Sequence, residues 1–328
     1  MSDPDSKSNE QLVFDARTLR LIVGALAFAF PSAVIALTGQ ITTSISASYH
    51  VVQSRNVFVG FLFIIGAFLI SYKGHVQQPS ADEPRTFWRW LKRYEEDWVS
   101  TIGGIAAILT ALFPTARNGY PMDTAAYIHT AGAFILFASV VYFCLIAFLR
   151  SVNEKLVDEN PAFLPLVEKV RRVQSQPAIH SGLELLYRWF PEICIFLSIA
   201  NEVSRDYDRN IASRTLRSGR PLRGDVSDQP GKAKYMWLAY GKKIARGYVY
   251  LACGVTIALT LAGFLLIMWR RPDLVKGTHT TFVIETVALV FFGIAWMTAS
   301  QLEYLLQIQR WLASRREKKS VAAQPEAA

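Results

Sequence analysis

The chain has 328 residues, of which 52% are hydrophobic, and a net charge of +9. A soluble protein of this length would distribute its apolar residues over about two domains, whereas here they form long runs, which indicates an integral membrane protein. Excess Lys and Arg in such a protein encodes topology, so we expect no nucleic-acid partner. The three cysteines lie in apolar segments without C-x-x-C spacing, so neither a disulfide framework nor a thiolate metal site is supported.

Six apolar runs are long enough to cross the hydrocarbon core of a bilayer, which requires about 20 residues per helix. The predicted fold class is therefore all-α, a polytopic membrane helix bundle of six transmembrane helices. Residues 1–12 are polar and acidic, so we expect no cleavable signal peptide and a first span that remains as an anchor. The predicted spans are residues 19–37, 57–72, 98–115, 125–149, 244–269 and 281–302.

The polar remainder of the chain predicts the domain organisation. Residues 150–243 form the segment large enough for an extramembrane domain, and we predict a helical cytoplasmic insertion there, between spans 4 and 5. Within it, residues 181–200 carry too many charges for a seventh span and are predicted to be a buried or interfacial helix, whereas residues 204–234 are predicted to be an exposed loop. The other predicted parts are a disordered cytoplasmic tail (1–18), spans 1–4 (19–149), spans 5 and 6 (244–306) and a basic cytoplasmic tail (307–328).

The basic residues are distributed unequally between the two sides of the predicted bundle. Assigning loops alternately to the two sides places 30 of the 35 Lys and Arg on the side that holds both termini. Loops rich in these residues remain in the cytoplasm, so we predict that both termini are cytoplasmic. The basic residues left on the outer side are Arg55, Arg117, Arg270, Arg271 and Lys276.

Two groups of basic residues are candidate contacts for lipid headgroups. One lies in F-W-R-W-L-K-R-Y, residues 87–94, where aromatics beside cations are typical of an interfacial helix. The other lies in the insertion, which is also a candidate site for a cytoplasmic protein partner. Solvated clusters that only determine topology are the alternative, and it stays open. The candidate headgroup residues are Arg89, Lys92, Arg93, Arg171 and Arg172.

Polar side chains gather at the outward ends of the predicted spans. The stretch at residues 44–56 lies between spans 1 and 2, and Glu285 lies about one turn into span 6 from the same face. An ionisable residue inside a span needs a partner, which Arg55, His129 or His279 would provide. The residues of the predicted outward polar pocket are Ser46, Tyr49, His50, Arg55, Asn56, His129, His279 and Glu285, with Asp123 at the same end.

This predicted pocket has two interpretations. In the first, His50, His129 and His279 bind a divalent metal cofactor together with a carboxylate, and Ser46 or a water is the reacting group. In the second, the same residues hydrogen-bond to headgroups, loop backbone and each other. No H-x-x-H or H-x-x-x-H spacing occurs in the chain, which favours the second interpretation.

The five residues S-A-S-Y-H, Ser46–His50, have the S-x-x-x-H form. This form resembles the second-span motif of the alkaline ceramidase and adipoReceptor-like membrane hydrolases, and the resemblance implies that Ser46 and His50 help to build a zinc site. Those families also have H-x-x-x-H in a late span, whereas predicted span 6 contains no histidine.

Longer segments resemble uncharacterised bacterial six-span membrane proteins. The likeness covers all six spans but not residues 150–234, and the relatives have Asp where Asn56 stands. It implies a fold and a location in the bacterial cytoplasmic (inner) membrane, but no activity. The segments that carry it are S-I-S-A-S-Y-H (44–50), R-N-V-F-V-G (55–60), A-L-F-P-T (111–115), I-H (128–129) and E-T-V-A-L-V-F-F-G-I-A-W (285–296).

No catalytic motif occurs in the sequence, so our first functional hypothesis is non-enzymatic. It is a membrane sensor, a scaffold, or a protein that handles lipids or small solutes through the outward polar pocket. The second hypothesis is a metal-dependent membrane hydrolase that acts on a lipid. Membrane lipids are expected partners in both.

Overall fold

The structure is a computed structural model that describes residues 16–72, 94–117, 120–175, 182–218, 236–275 and 278–300. Within these ranges the regular secondary structure is helical and no strand is formed. A π-helix, Phe143–Ala147, joins α4 to α5. The α-helices of the described part are α1 Ala16–Thr38, α2 Val52–Ser71, α3 Glu95–Leu112, α4 Thr124–Tyr142, α5 Phe148–Glu159, α6 Leu164–Ser175, α7 Gly182–Trp189, α8 Pro191–Ser218, α9 Met236–Arg270 and α10 Thr280–Ala299.

Some predictions fall outside the described residues and stay predictions. They concern most of the N-terminal tail, the C-terminal tail at 307–328, and the aromatic and basic segment with Arg89, Lys92 and Arg93.

The predicted all-helical class is confirmed, and so are five apolar helices. In the described part of the chain, five helical segments are long and apolar enough to cross a membrane, judged by length and composition. The third predicted span corresponds to α3, which is not one of the five. Its first turn carries Glu95, Glu96 and Asp97, and these charges lower its apolar character. The five segments are Thr18–Thr38, Val52–Ser71, Thr124–Glu159, Tyr240–Arg270 and Thr280–Ala299.

The helix of the second span begins earlier than predicted. The predicted second span begins at residue 57, but α2 begins at Val52, so Arg55 and Asn56 lie in its first turns. Arg has a high helix propensity, and a polar residue at a helix start does not prevent helix formation. The hydroxyl of Ser54 also donates to the carbonyl oxygen of Ser48 at 2.8 Å, which ties the first turn of α2 to the residues before it.

The insertion is also more helical than predicted. Residues 204–234 were expected to be an exposed loop, but α8 continues to Ser218, so that prediction is wrong for residues 204–218. No Gly or Pro occurs between Pro191 and Gly219, and Ala, Leu and Arg in this stretch favour a helix. Residues 181–200, predicted as one helix, are divided between α7 and α8, because Pro191 opens a new helix where its missing N–H costs nothing.

The described residues separate into two compact units. The first contains the described residues up to 72, those within 104–133 and those from 266 onward. In this unit α1 packs along α10, where Gly24 and Gly293 bring the two backbones into contact. Gly66 of α2 and Gly104 of α3 form a second close approach. Small residues at such crossings are typical of helix packing in membranes.

The second unit contains the described residues within 94–103 and 134–265. Phe163, just before α6, and Phe196 of α8 pack their aromatic rings against the first part of α9 in this unit. Phe163 lies edge-on to Tyr240 with ring centroids 5.7 Å apart, and Phe196 lies edge-on to Tyr248 at 5.2 Å. Both phenylalanines are fully buried, so α8 and the residues before α6 share an apolar core with α9.

Candidate functional site

The stretch between α1 and α2 folds into a compact structure in the first unit. Gly39 ends α1 with a φ of +67°, a left-handed conformation that glycine adopts without strain. Residues Ser46–His50 then form a short 3₁₀ helix in which Ser46 and Ser48 are buried. We call residues 39–51 the first loop.

Glu285 of α10 binds the start of the 3₁₀ helix. Its Oε2 accepts the backbone N–H of Ile45 at 2.5 Å, and its Oε1 accepts the hydroxyl of Ser46 at 2.9 Å. The first N–H groups of a helix have no partner within the helix, so a carboxylate placed there satisfies them and complements their partial positive charge. The predicted partners of Glu285 were Arg55, His129 or His279, but its hydrogen bonds come from the first loop.

Two further hydrogen bonds connect the first loop to the start of α10. The N–H of Phe282 donates to the carbonyl oxygen of Thr43 at 3.1 Å, and Nδ1 of the exposed His279 lies 3.0 Å from the carbonyl oxygen of Thr42. These hydrogen bonds hold one side of the first loop against α10. Separately, just before α10, the side chain of Arg271 hydrogen-bonds to Asp273 and lowers the pKa of that carboxyl.

The other side of the first loop contacts the end of α3. Pro114 follows Leu112 closely, and since proline cannot continue a helix, the last carbonyl groups have no partner within α3. The hydroxyl of Tyr49 lies 3.4 Å from the carbonyl oxygen of Leu112, and Nε2 of His50 lies 2.7 Å from that of Thr115. These ring and hydroxyl groups bond to the carbonyl end of the helix, where donors are favoured.

His129 of α4 bonds to the same carbonyl end. Its Nδ1 lies 2.8 Å from the carbonyl oxygen of Phe113, so this nitrogen carries the proton. The ring is 2% exposed and stacks on Phe58, with centroids 6.2 Å apart. Its Nε2 has no hydrogen-bond partner in the described part of the chain, and the same holds for the hydroxyl oxygen of Ser48. The neutral ring therefore presents a buried, unused acceptor.

Two predicted residues lie at the edge of this arrangement. The guanidinium of Arg55 donates from Nε to the carbonyl oxygen of Tyr49 at 2.9 Å and lies over the ring of the same tyrosine at 5.4 Å. Arg55 and Asn56 are both exposed. Arg55 therefore contacts Tyr49 in the first loop, whereas Glu285 bonds to Ile45 and Ser46.

The structure does not collect the predicted metal ligands into one group. Among the described residues, no three His, Cys, Asp or Glu side chains are placed so that they could hold a metal ion. The S-x-x-x-H residues contact different helices, because Ser46 bonds to Glu285 and His50 bonds to Thr115. We call the polar cluster the residues that hydrogen bonds connect either between the first loop and α10 or to the carbonyl end of α3: Ile45, Ser46, Tyr49, His50, His129 and Glu285.

A second cluster, which the sequence did not predict, lies in the second unit. Arg150 of α5 is largely buried, and its guanidinium lies 3.3 Å from Glu96, 3.6 Å from Glu95 and 3.4 Å from Glu192. The side chain of Asn153 adds a hydrogen bond of 3.1 Å to Glu192. The sequence signal was the position of Arg150, the first charged residue after the charge-free residues 124–149. The predicted headgroup residues Arg171 and Arg172 are exposed on α6.

Comparison of the chain with models of protein families, with curated proteins and with solved structures finds no match. The class of protein therefore rests on the fold and on composition. The described residues form helices, five segments of which are long and apolar enough to cross a membrane, as in a multi-pass membrane protein. In this chain, hydrogen bonds connect the first loop to both α10 and the end of α3.

Proposed function

We propose that the chain crosses the membrane six times, with α3 as the sixth span. Gly66 and Gly104 place α3 against α2, and Tyr49, just before α2, bonds to Leu112 at the end of α3. The two helices are therefore antiparallel neighbours over the same thickness. The 18 residues of α3 give a length of about 27 Å, close to the roughly 30 Å of the hydrocarbon core. Its three acidic residues lie at one end, where the membrane boundary would be.

The proposed orientation puts the first loop outside the bacterial inner membrane, and both termini and the insertion in the cytoplasm. It is supported by the position of 30 of the 35 Lys and Arg. Single cysteines introduced at Gln40, Tyr120 and Glu168, all exposed, test it in a background without the three native cysteines.

In intact cells, an impermeant maleimide is expected to label Gln40→Cys and Tyr120→Cys, and to label Glu168→Cys only after permeabilisation. Ser48 is unsuitable as a probe because it is fully buried. If Gln40→Cys and Tyr120→Cys respond from opposite sides, α3 does not cross the membrane. If Gln40→Cys is labelled only after permeabilisation, the orientation is reversed.

We further propose that the polar cluster recognises a small solute and that the protein is a non-enzymatic membrane sensor. The observation that carries this proposal is the buried Nε2 of His129, an acceptor without a partner in the described part of the chain. A buried polar group left unpaired costs about 1–3 kcal/mol, so a group that donates a hydrogen bond to it gains that energy. The matching chemistry is a small molecule with a hydroxyl or amine group.

Purified protein in lipid nanodiscs tests this proposal by thermal unfolding with a panel of small alcohols, polyols and primary amines. A ligand at a hundred times its Kd adds about 2.7 kcal/mol of stability, so at least one probe should raise the Tm measurably. The shift should vanish in His129→Phe, which keeps the ring stacked on Phe58 but removes both nitrogens. A panel without effect, or a shift that persists in His129→Phe, contradicts the proposal. Zinc chloride in a parallel arm tests the metal-dependent alternative.

A further inference from the structure

An apolar face is exposed along α7 and the start of α8. Its residues are between 41% and 68% exposed although all are large and apolar. Four of them, residues 185, 186, 189 and 190, lie on one side of α7 and of the turn after it. The fifth, Leu197, follows Phe190 by two helical turns and lies on the same side of α8. An exposed patch of this kind marks a contact with a partner or with a membrane. We call it the α7 face: Leu185, Leu186, Trp189, Phe190 and Leu197.

The start of α8 is anchored at the end of an apolar helix. Glu192, two residues after Phe190, lies 3.4 Å from the guanidinium of Arg150. Arg150 directly follows residues 124–149, which contain no Asp, Glu, Lys or Arg. The first charged residue after an apolar run of this length lies near the boundary of the hydrocarbon core. This contact places the junction of α7 and α8 at that boundary.

A second contact independently places the start of α8 at the membrane boundary. The ring of Phe196 packs against Gly247 and lies edge-on to Tyr248 of α9. Gly247 opens a charge-free run that ends at Trp269, between Arg246 and Arg270. At 1.5 Å per residue this run is about 34 Å long, which matches a hydrocarbon core of about 30 Å. Phe196 therefore lies at the membrane boundary, and the exposed Leu197 follows it.

Polar and charged residues flank the α7 face. Glu184, Tyr187 and Arg188 occupy the other side of α7, so the helix is amphipathic. α6, which packs against α7, carries the exposed basic residues Arg171 and Arg172. Leu, Trp and Phe on one face with basic residues beside them are typical of helices that lie in the membrane plane.

We propose that α7 is an interfacial helix whose apolar face inserts into the bilayer leaflet that adjoins Arg150 and Tyr248. The occupant of the face is lipid, because the two anchors hold it at the membrane boundary and because Tyr248 of α9, which contacts Phe196 beside Leu197, is itself exposed. The insertion would then rest on the membrane and bury its exposed Trp189 there.

Environment-sensitive fluorescence of the full chain in phosphatidylcholine–phosphatidylglycerol vesicles tests this proposal. The three native cysteines are replaced by alanine, and Trp189→Cys is labelled with a nitrobenzoxadiazole dye. We expect nitroxide-bearing lipids to quench more than half of its emission and soluble iodide to quench little. Leu186→Cys provides a second site if the Trp189 variant does not fold, as judged by gel filtration and circular dichroism.

The matched control is Glu168→Cys, at an exposed position on the neighbouring α6. Its dye should respond to iodide and not to nitroxide lipids. A Trp189 dye that iodide quenches would show that the α7 face lies in water. A dye protected from both quenchers would show that protein covers the α7 face: another part of this chain, a second copy or a different partner. Quenching by iodide and protection from both quenchers would each overturn the proposal.

Discussion

Replacing Glu285 by Leu is expected to release the first loop from α10. The substitution removes the acceptor of the Ile45 N–H and of the Ser46 hydroxyl, and Ile45 is 2% exposed. A buried donor left unsatisfied costs about 1–3 kcal/mol. Since about 1.4 kcal/mol is a factor of ten in an equilibrium constant, the Ile45 amide should exchange with solvent roughly tenfold faster or more. Hydrogen exchange in nanodiscs, read by mass spectrometry of peptides from the first loop, measures this.

A double-mutant cycle separates the contact from general damage to α10. Ser46→Ala removes one of the two donors, so its loss of stability should be smaller than that of Glu285→Leu. The loss in the double variant should be smaller than the sum of the two single losses, because the two residues share a hydrogen bond. Glu168→Leu removes an exposed carboxylate and should stay within about 0.5 kcal/mol of wild type. Unchanged exchange at Ile45 in Glu285→Leu would mean that the carboxylate does not hold the first loop.

Hydrophobic runs predicted most of the fold, because membrane helices must be long, apolar and internally hydrogen-bonded. Their ends were harder to predict. α2 begins at Val52 rather than 57, since polar residues such as Arg55 are tolerated in a helix start outside the hydrocarbon core. The extension of α8 to Ser218 was not predicted, because residues 204–218 are rich in charged side chains, which occur in exposed loops and in exposed helices alike, although Arg itself favours a helix.

The candidate site was predicted as a set of residues but not as a set of contacts. The position of Glu285 inside an apolar helix identified it, and its two hydrogen-bond partners, Ile45 and Ser46, lie within residues 44–56. Its partners could not be predicted, because one is a backbone N–H, which every residue except proline carries. The carbonyl groups of Leu112, Phe113 and Thr115 were missed for the same reason, although Pro114 gave a signal that a helix ends there.

Replacing Gly293 by Ala is expected to force α1 and α10 apart. A Cβ at Gly293 would lie 2.7 Å from the carbonyl oxygen of Gly24 and 2.9 Å from the backbone nitrogen of Phe28. Real Cβ atoms do not approach backbone atoms so closely, and neither neighbour is the end of a flexible side chain. Overpacking of this kind costs about 1–3 kcal/mol. Gly24→Ala should behave alike, since its Cβ would lie 2.8 Å from the carbonyl oxygen of Gly293.

The matched control for this pair is Gly60→Ala. Gly60 lies inside α2, and a Cβ added there meets nothing within 4 Å. Alanine loses less backbone entropy than glycine in a helix, so this variant should gain roughly 0.5–1 kcal/mol. Unfolding in mixed micelles by titration with sodium dodecyl sulfate measures this. The free energy of unfolding should fall in Gly293→Ala and rise in Gly60→Ala, although the chemical change is the same. A loss of similar size at Gly60 and Gly293 would trace the effect to glycine replacement in general and would contradict a backbone contact between α1 and α10.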